Sequence, residues 1–549
     1  MPGKRTLCLA AAALVGVAAG LLALDPQFIV GTGGKWLRPE NDYNAYLVAW
    51  NYYIRDAWRL PLFSVPSMGY PEGGSVLFND ALPLTAFASK MLHTVTGARV
   101  NPFGWWILLT YVLQAVMAAR LVRAAGASSV VAATCAAALA VVSNSFVTRM
   151  GHTALSSHFL ILWALALYFD CVRKERLLAM EATLLLAVTI AVNAYLFAMV
   201  LALEGVTIAA LWTAGCLRAP DVRRMALGVS GVVVLALVMG YGFVLGSPST
   251  MKAEGFGKYS WNLPTLLVPP DGIFGILRGM PRDATHGQYE GDAYVGRGAL
   301  LLLALCLVTA PGRVLTSLGR HWIFCAGLLA LAVFAASNRV YAGSSLVFSY
   351  PLPALAQDMG SLFRATGRFI WPLAYGLTLI PLCCLFRWWP VVAAIPITVL
   401  AAWLQIVEAA PAFRQRRAQT LQAHADLIDQ PRMNAWLSAH SRVWQIPSWD
   451  CGGLVGSGRA WPSDDTNREL QLQLSASRLG VPSNSIYASR ALKDCKREAA
   501  WVDRPTFEPG VLYVLGPGVA RATPQLVELS RSPACVPLDW AVVCSYSWK

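Results

Sequence analysis

The chain has 549 residues, 56% of them apolar and 13% charged, with a mean hydropathy of +0.50. A single water-soluble globule, which carries roughly a quarter of charged residues, and a disordered chain are both excluded. The formal charge of +14, from 44 Lys and Arg against 30 Asp and Glu, must be read by position, because basic residues in a hydrophobic chain mark sidedness as readily as a polyanionic partner.

Eleven apolar segments approach the ~20 residues that cross a bilayer. They lie near 7–24, 103–124, 128–145, 156–172, 177–193, 195–215, 225–246, 297–310, 321–337, 369–386 and 391–408. The first follows Lys4 and Arg5. It exceeds the ~7–15-residue core of a signal peptide and lacks a small-x-small cleavage site, so it reads as a helix. Alternate connections carry Lys4 and Arg5; Arg120 and Arg123; Arg173, Lys174 and Arg176; Arg218, Arg223 and Arg224; Arg313 and Arg320; and Arg387. Only Asp170, Glu175 and Asp221 oppose them. By the positive-inside rule these short loops and the amino terminus are cytoplasmic, and the carboxyl terminus lies on the other side. The positive balance is thus a topology signal, with no sign of nucleic-acid binding.

The outer side receives the long connections, 25–102, 247–296 and 338–368, and a tail from about 411 to 549. Sixteen Lys and Arg and twelve Asp and Glu give the tail the composition of a soluble domain. A helix-like stretch from Phe413 to Leu437 precedes short strand-like runs, Val511–Leu515 and Trp540–Cys544. The expected fold is a polytopic α-helical membrane protein of about eleven transmembrane helices, residues 1–408, followed by a small soluble α+β domain, 411–549. No fixed-period repeat or low-complexity segment is present. Eight of twelve cysteines lie in or beside apolar helices, where a thiol acts as a small hydrophobe. The other four, Cys451, Cys495, Cys535 and Cys544, all lie in the tail. An even number in an exported domain suggests two disulfides. Three pairings exist; Cys451–Cys495 with Cys535–Cys544 is favoured because the second closes a short strand-end loop, and unpaired core thiols are the alternative.

The signatures of common soluble enzymes are missing: no P-loop, no GxGxxG after a strand, no HExxH, no CxxC and no GxSxG. Ionisable residues on the outer side therefore carry the argument. In the first outer loop Tyr43, Tyr46, Leu47, Trp50, Tyr53, Ile54 and Trp58 recur at three- and four-residue steps, which predicts an amphipathic helix over 42–58 lying in the membrane interface. Asp42 stands at its start, where free backbone N–H groups favour an ionised carboxylate; a simple helix cap is the plainer reading. Asp80 follows in Asn79-Asp-Ala-Leu-Pro-Leu84, ahead of an apolar stretch (82–92) too short to span. Arg149, His152 and His158 cluster in the connection before the fourth segment, although His158 also suits an ordinary buried, hydrogen-bonded histidine. Arg364 and Arg368, four residues apart, would share a helical face and match phosphate oxygens, unless they snorkel to headgroups. Lys252, Lys258, Tyr259, Trp261, Arg278, Arg282 and Tyr289 make the 247–296 loop a basic and aromatic lid. Acids from one loop and cations from others suit an anionic lipid carrier, its phosphate met by Arg while a carboxylate deprotonates an incoming hydroxyl.

Many helices, a long first outer loop with an early acid, an interfacial helix and an outer soluble C-terminal domain resemble the GT-C superfamily of membrane glycosyltransferases. More closely, Asn79-Asp-Ala-Leu-Pro-Leu84, Arg149-Met-Gly-His152 with His158, and Phe363-Arg-Ala-Thr-Gly-Arg-Phe-Ile-Trp-Pro372 resemble a bacterial polytopic family placed in that superfamily. The resemblance covers roughly residues 1–408. It implies an enzyme that takes a sugar from a polyprenyl-phosphate or polyprenyl-diphosphate donor; joined to the charge pattern, the main reading is an inverting transfer from polyprenyl phosphate to a hydroxyl of an envelope glycan or lipid on the periplasmic face of a bacterial inner membrane. By position it assigns the base to Asp42, with Asp80 as second acid orienting acceptor or holding a divalent cation, the one candidate cofactor. Arg364, Arg368 and Lys258 would hold the donor phosphate, Arg149 and His152 would orient the leaving group, and His158 is a further substrate-orienting candidate. No DxD or WWD motif is present, which leaves no assigned metal site and argues against an oligosaccharyltransferase-type reaction. Rival readings are a lipid-linked glycan transporter, disfavoured by the lack of paired repeats and the few ionisable residues in the apolar segments, Glu181 and Glu204 among them; an acyltransferase using His152 or His158, which map to the wrong side for a cytoplasmic acyl donor; and a non-catalytic assembly protein.

Overall fold

The computed structural model describes every residue except 1, 40, 243–254, 270–280, 424, 453–463, 490–494 and 546–549. The chain is mostly helical and divides into two compact units, one formed by 1–29, 103–235 and 251–420, the other by 30–102, 236–250 and 421–549.

In the first unit the Pro2–Ala23 helix packs on Phe103–Ala124, which also packs against Val130–Val141 and Phe159–Lys174. Among the described residues six helices are long and apolar enough to cross a membrane: Gly3–Ala23, Phe103–Ala124, Ala194–Thr213, Ala219–Met239, Thr366–Trp388 and Val391–Leu421. A seventh arises if the pair Arg297–Thr309 and Pro311–Arg320, bent by 103°, counts as one span. Eleven crossings are therefore not shown. The 128–145 segment contracts to Val130–Val141, 177–193 to Ala179–Val192 and 321–337 to Trp322–Ala336, and a helix of 12–15 residues reaches only about 18–22 Å against ~30 Å of hydrocarbon. Polar caps set these ends. The Ser129 hydroxyl accepts from the Ala132 N–H, and the Asn193 side chain accepts from Tyr195 and Leu196 N–H groups, dividing two apolar runs that composition alone leaves nearly continuous. The last helix runs from Val391 to Leu421 and takes in the start of the predicted 413–437 stretch; the remainder forms Gln430–Ser438, capped by Asp429.

The second unit is built on a four-stranded sheet with strands Arg442–Ile446, Val511–Leu515, Val542–Ser545 and Cys535–Pro537 in that order. The first pair is parallel and the others antiparallel. Alternate residues of Val511–Leu515 feed two cores: Leu512 and Val514 join Met433, Leu437 and Leu472, while Val511, Tyr513 and Leu515 join Val519 and Leu526. Two disulfides, Cys451–Cys495 and Cys535–Cys544, tie this unit, the second directly across paired strands.

The helix predicted over 42–58 spans Asn41–Arg55, and its environment differs from the expectation. Twelve of its fifteen residues are buried, so both faces are covered. Packed on it is the Asp464–Leu479 helix. Asn44 donates to the Leu470 carbonyl at 3.0 Å, Asn51 to the Ser477 hydroxyl at 3.2 Å, and the Tyr52 hydroxyl to the Val481 carbonyl at 2.7 Å. The aromatic stripe that reads as a membrane-facing surface is a protein core, because a partner helix more than 400 residues away satisfies the polar face as well.

Candidate functional site

In the first unit two short 3-10 turns, Gln288–Gly291 and Thr366–Ile370, pack together. Glycine on each side makes the approach feasible. A Cβ on Gly367 would sit 2.9 Å from the Gly291 Cα, and one on Gly291 would meet the Gly367 Cα at 3.1 Å. The Gly367 N–H donates to the Tyr259 carbonyl at 2.9 Å, which fixes the turn. This contact places Glu290 between two guanidiniums. Arg149 Nη1 donates to Glu290 Oε2 at 2.5 Å and Arg368 Nε to the same oxygen at 3.0 Å, while Arg149 Nη2 donates to the Tyr289 carbonyl at 2.8 Å. All three side chains are buried. Burial alone would raise the carboxyl pKa, but Arg368, Arg149 and His152 reverse that and hold Glu290 well below the usual carboxylate range. The Arg368 guanidinium also lies over the Tyr195 ring, 4.6 Å from its centroid.

Beside this buried cluster stand two exposed cations on one tyrosine. Arg364 Nη2 donates to the Tyr259 hydroxyl at 2.7 Å with its Cζ 4.7 Å from the ring centroid, and Lys258 Nζ lies 5.5 Å from the same centroid. Tyr289 meets Tyr259 edge-on at 6.5 Å. Nearby, Asp283 accepts from the N–H groups of Thr285, Gly287 and Tyr289; desolvation would raise its pKa, and these backbone bonds keep it below the ordinary value. Arg282 pairs with Asp292 at 2.5 Å. The expectation that Arg364 and Arg368 share one α-helical face is corrected. Arg364 precedes the turn that contains Arg368, so one guanidinium faces outward on Tyr259 and the other inward on Glu290. Lys252 and Arg278 lie outside the described residues.

His152 is half-buried and acts on Glu290 electrostatically. His158 is fully buried, its Nδ1 2.8 Å from the Tyr375 hydroxyl and its ring 4.2 Å from that of Trp371. Gln114 Nε2 donates to the same hydroxyl at 2.9 Å. His158 is thus a buried histidine hydrogen-bonded through Nδ1 to Tyr375, with either nitrogen or hydroxyl able to donate.

Asp42 and Asp80 belong to the second unit. Tyr487 links their surroundings: its hydroxyl donates to Asp42 Oδ1 at 2.9 Å, and its carbonyl accepts from Asn79 Nδ2 at 2.7 Å, one residue before Asp80. The Trp449 ring lies 4.7 Å from that of Tyr487. Asp42 is half-buried on the first turn of its helix. Asp80 and Leu82 adopt φ values of 53° and 51°, a conformation an aspartate tolerates but a buried leucine holds only under constraint from its surroundings.

The structure thus gathers Arg149, His152 and Arg368 at Glu290, sets Arg364 and Lys258 on Tyr259, keeps His158 in a separate hydrogen-bonded stack, and joins Asp42 and Asn79 through Tyr487. Sequence reasoning missed Glu290 and Tyr487. The available signal was weak: Glu290 is one acid beside a glycine, Gly291, in a loop selected for its cations, and Asp283 and Asp292 stand in the same loop. Among the described residues no three His, Cys, Asp or Glu side chains gather as around a metal ion.

A family model described as "Domain of unknown function (DUF6311)" matches residues 13–410, and one described as "DUF6311 C-terminal domain" matches residues 432–546. Among solved structures, an Archaeoglobus fulgidus oligosaccharyltransferase tethered through a disulfide to an acceptor peptide containing the NVT sequon aligns with a TM-score of 0.43 and 11% identity, over 93% of this chain and 69% of that one. The same enzyme in complex with Zn and sulfate aligns with a TM-score of 0.36 and 13% identity, over 95% and 69%. No curated protein matches the chain.

Proposed function

We propose that this chain, which belongs to the DUF6311 family, is a membrane glycosyltransferase that moves a sugar from a polyprenyl-phosphate donor to a hydroxyl of an envelope glycan or lipid. The observation that carries the reading is the set of cations in the first unit: Lys258 and Arg364 exposed on Tyr259, next to the buried Arg149 and Arg368 that Glu290 orients. Guanidinium and ammonium groups beside aromatic rings suit a sugar phosphate, the fork of Arg matching its oxygens and the ring face supporting the sugar.

In this reaction Lys258 and Arg364 hold the donor phosphate, and their charge stabilises it as it leaves. The acceptor oxygen forms a bond to the anomeric carbon while the bond from that carbon to the phosphate oxygen breaks. Polyprenyl phosphate departs with the electron pair, and the acceptor proton passes to Asp42, whose carboxylate Tyr487 orients at 2.9 Å. Asp80 helps to set the acceptor. The tally of Lys and Arg in short loops supports a periplasmic face for this chemistry in a bacterial inner membrane, and the disulfides of the second unit suit an oxidising compartment.

The test is transfer from radiolabelled polyprenyl-phosphate hexoses to envelope lipids in membranes that contain the chain. Wild type transfers one hexose, and Asp42→Asn, folded and inserted, does not. Full activity in Asp42→Asn removes that carboxylate from the mechanism.

A further inference from the structure

The segment between the short apolar helix Trp322–Ala336 and the span that starts at Thr366 carries several large apolar side chains that are more than half exposed among the described residues. It consists of a hairpin, Arg339–Ala342 paired with Ser345–Ser349, and a short helix, Ala354–Gly360. Leu346, Val347 and Phe348 are 51%, 61% and 59% exposed, and Leu355 and Met359 are 73% and 60% exposed. A bulge interrupts the strand here: Phe348 pairs with Val340 and Leu346 with the next residue, Tyr341, leaving Val347 as the extra residue between them, so simple alternation is broken and all three apolar side chains are more than half exposed. The hairpin is nevertheless firmly seated. Asn262 clamps its turn, donating to the Gly343 carbonyl at 2.8 Å and accepting from the Gly343 N–H at 2.9 Å. The Tyr350 hydroxyl donates to the Ser337 carbonyl at 3.3 Å.

Chain connectivity bears on the depth of this surface. Trp322–Ala336 is an apolar helix of 15 residues, about 22 Å long, which placed in a membrane leaves part of the ~30 Å of hydrocarbon unspanned. The hairpin begins three residues later, within about 11 Å of the helix end at full extension. Its apolar residues therefore stand where the helix falls short. Open strand edges exclude the hydrocarbon centre, since their N–H and C=O groups need water or headgroup partners. The boundary between acyl chains and headgroups satisfies both conditions. Charge agrees. Arg339, Lys258 and Arg364 are exposed at the base of the segment, where Arg364 donates to the Tyr259 hydroxyl and Arg339 lies beside the Gly257 turn; Asp358 is exposed on the short helix.

We propose that residues 339–360 are a lipid-docking foot, whose hairpin and short helix lay Leu346, Val347, Phe348, Leu355 and Met359 into the bilayer surface while Arg339, Lys258 and Arg364 meet anionic phosphate headgroups. This inference stands on exposure and connectivity and does not require the glycosyl-transfer reading. Its consequence is lateral delivery: a lipid phosphate diffusing in the leaflet arrives beside Tyr259 without leaving the membrane.

Photo-crosslinking tests it. Benzoylphenylalanine is placed at Phe348 or Leu355, both exposed, so the substitution leaves packing intact, and at Leu329 on the Trp322–Ala336 helix as the lipid-facing reference. The full chain is irradiated in nanodiscs of phosphatidylcholine with phosphatidylglycerol. Phe348 and Leu355 should each gain the mass of one phospholipid in yields comparable to Leu329. Adducts at Leu329 alone overturn the proposal, and so do crosslinked dimers at Phe348, which make a second copy the occupant. The yield at Phe348 should fall severalfold in phosphatidylcholine alone; equal yields remove the three cations from the foot.

Discussion

Replacing Glu290 by Gln keeps the shape of the side chain and removes the charge that both Arg149 and Arg368 face at 2.5 and 3.0 Å. In water the loss would be small. Here all three groups are buried, and removing one partner of a buried ion pair leaves an uncompensated charge that costs about 3–5 kcal/mol. A pair of unit charges ~4 Å apart at an effective dielectric of ~20 gives about 4 kcal/mol, the same scale. At roughly 2 °C per kcal/mol for a unit of this size, the melting midpoint should drop by about 6–10 °C. The assay is thermal unfolding in detergent followed by intrinsic fluorescence at one fixed scan rate, because unfolding of such chains is commonly irreversible. Glu528→Gln, on an exposed side chain, should melt with wild type. The pH dependence has a definite sign. Glu290 titrates below its unfolded value, so its stabilisation is complete above the ordinary carboxylate range and is lost only as pH falls through the depressed folded value. The gap between Glu290→Gln and wild type should be constant from neutral pH to about 5 and close only in strong acid. A midpoint within about 2 °C of wild type at neutral pH would refute the role given to Glu290.

Other substitutions separate the remaining claims. Gly367→Ala pushes a methyl group to 2.9 Å from the Gly291 backbone; overpacking of this kind costs about 1–3 kcal/mol, and both melting and donor binding should suffer, whereas unchanged melting would show that the two turns separate freely. Tyr487→Phe removes one hydrogen bond to Asp42, a charged acceptor, worth about 1.5–3 kcal/mol of stability; melting should drop modestly while transfer by the folded protein falls by more than tenfold, and wild-type kinetics would detach Tyr487 from the base. Cys535→Ser with Cys544→Ser opens a link between residues nine apart, for which chain entropy gives about 2.6 kcal/mol; a melting profile that ignores both the substitution and added reductant would contradict a stabilising crosslink.

Helix positions were legible and helix surroundings were not. The three- and four-residue spacing of aromatics after Asp42 marks a helix over 42–58, and the observed Asn41–Arg55 helix stops three residues short of that, before Trp58; periodicity is a local property. Burial of its second face depends on Leu470, Ser477 and Val481, which no local pattern links to it. Apolar runs likewise marked each candidate span but not its length, since single caps such as Ser129 and Asn193 end helices inside hydrophobic sequence. At the candidate site the basic residues of the long connections stood out as expensive groups beside apolar segments. Their partners did not: Glu290 lies 141 residues from Arg149 and 78 from Arg368, and the close Gly291–Gly367 approach beside the Glu290–Arg368 pair is not visible along the chain. Tyr487, 445 residues from Asp42, has no signal in the sequence at all.

Binding of a polyprenyl phosphate to the wild-type chain and to a Lys258→Ala, Arg364→Ala variant bears most directly on the function. Both side chains are exposed, so the variant should melt like wild type while native mass spectrometry records a loss of at least tenfold in affinity for the lipid phosphate and none for an uncharged polyprenol of the same length. Equal affinity of both proteins for the phosphate would contradict the assignment of these cations to the donor.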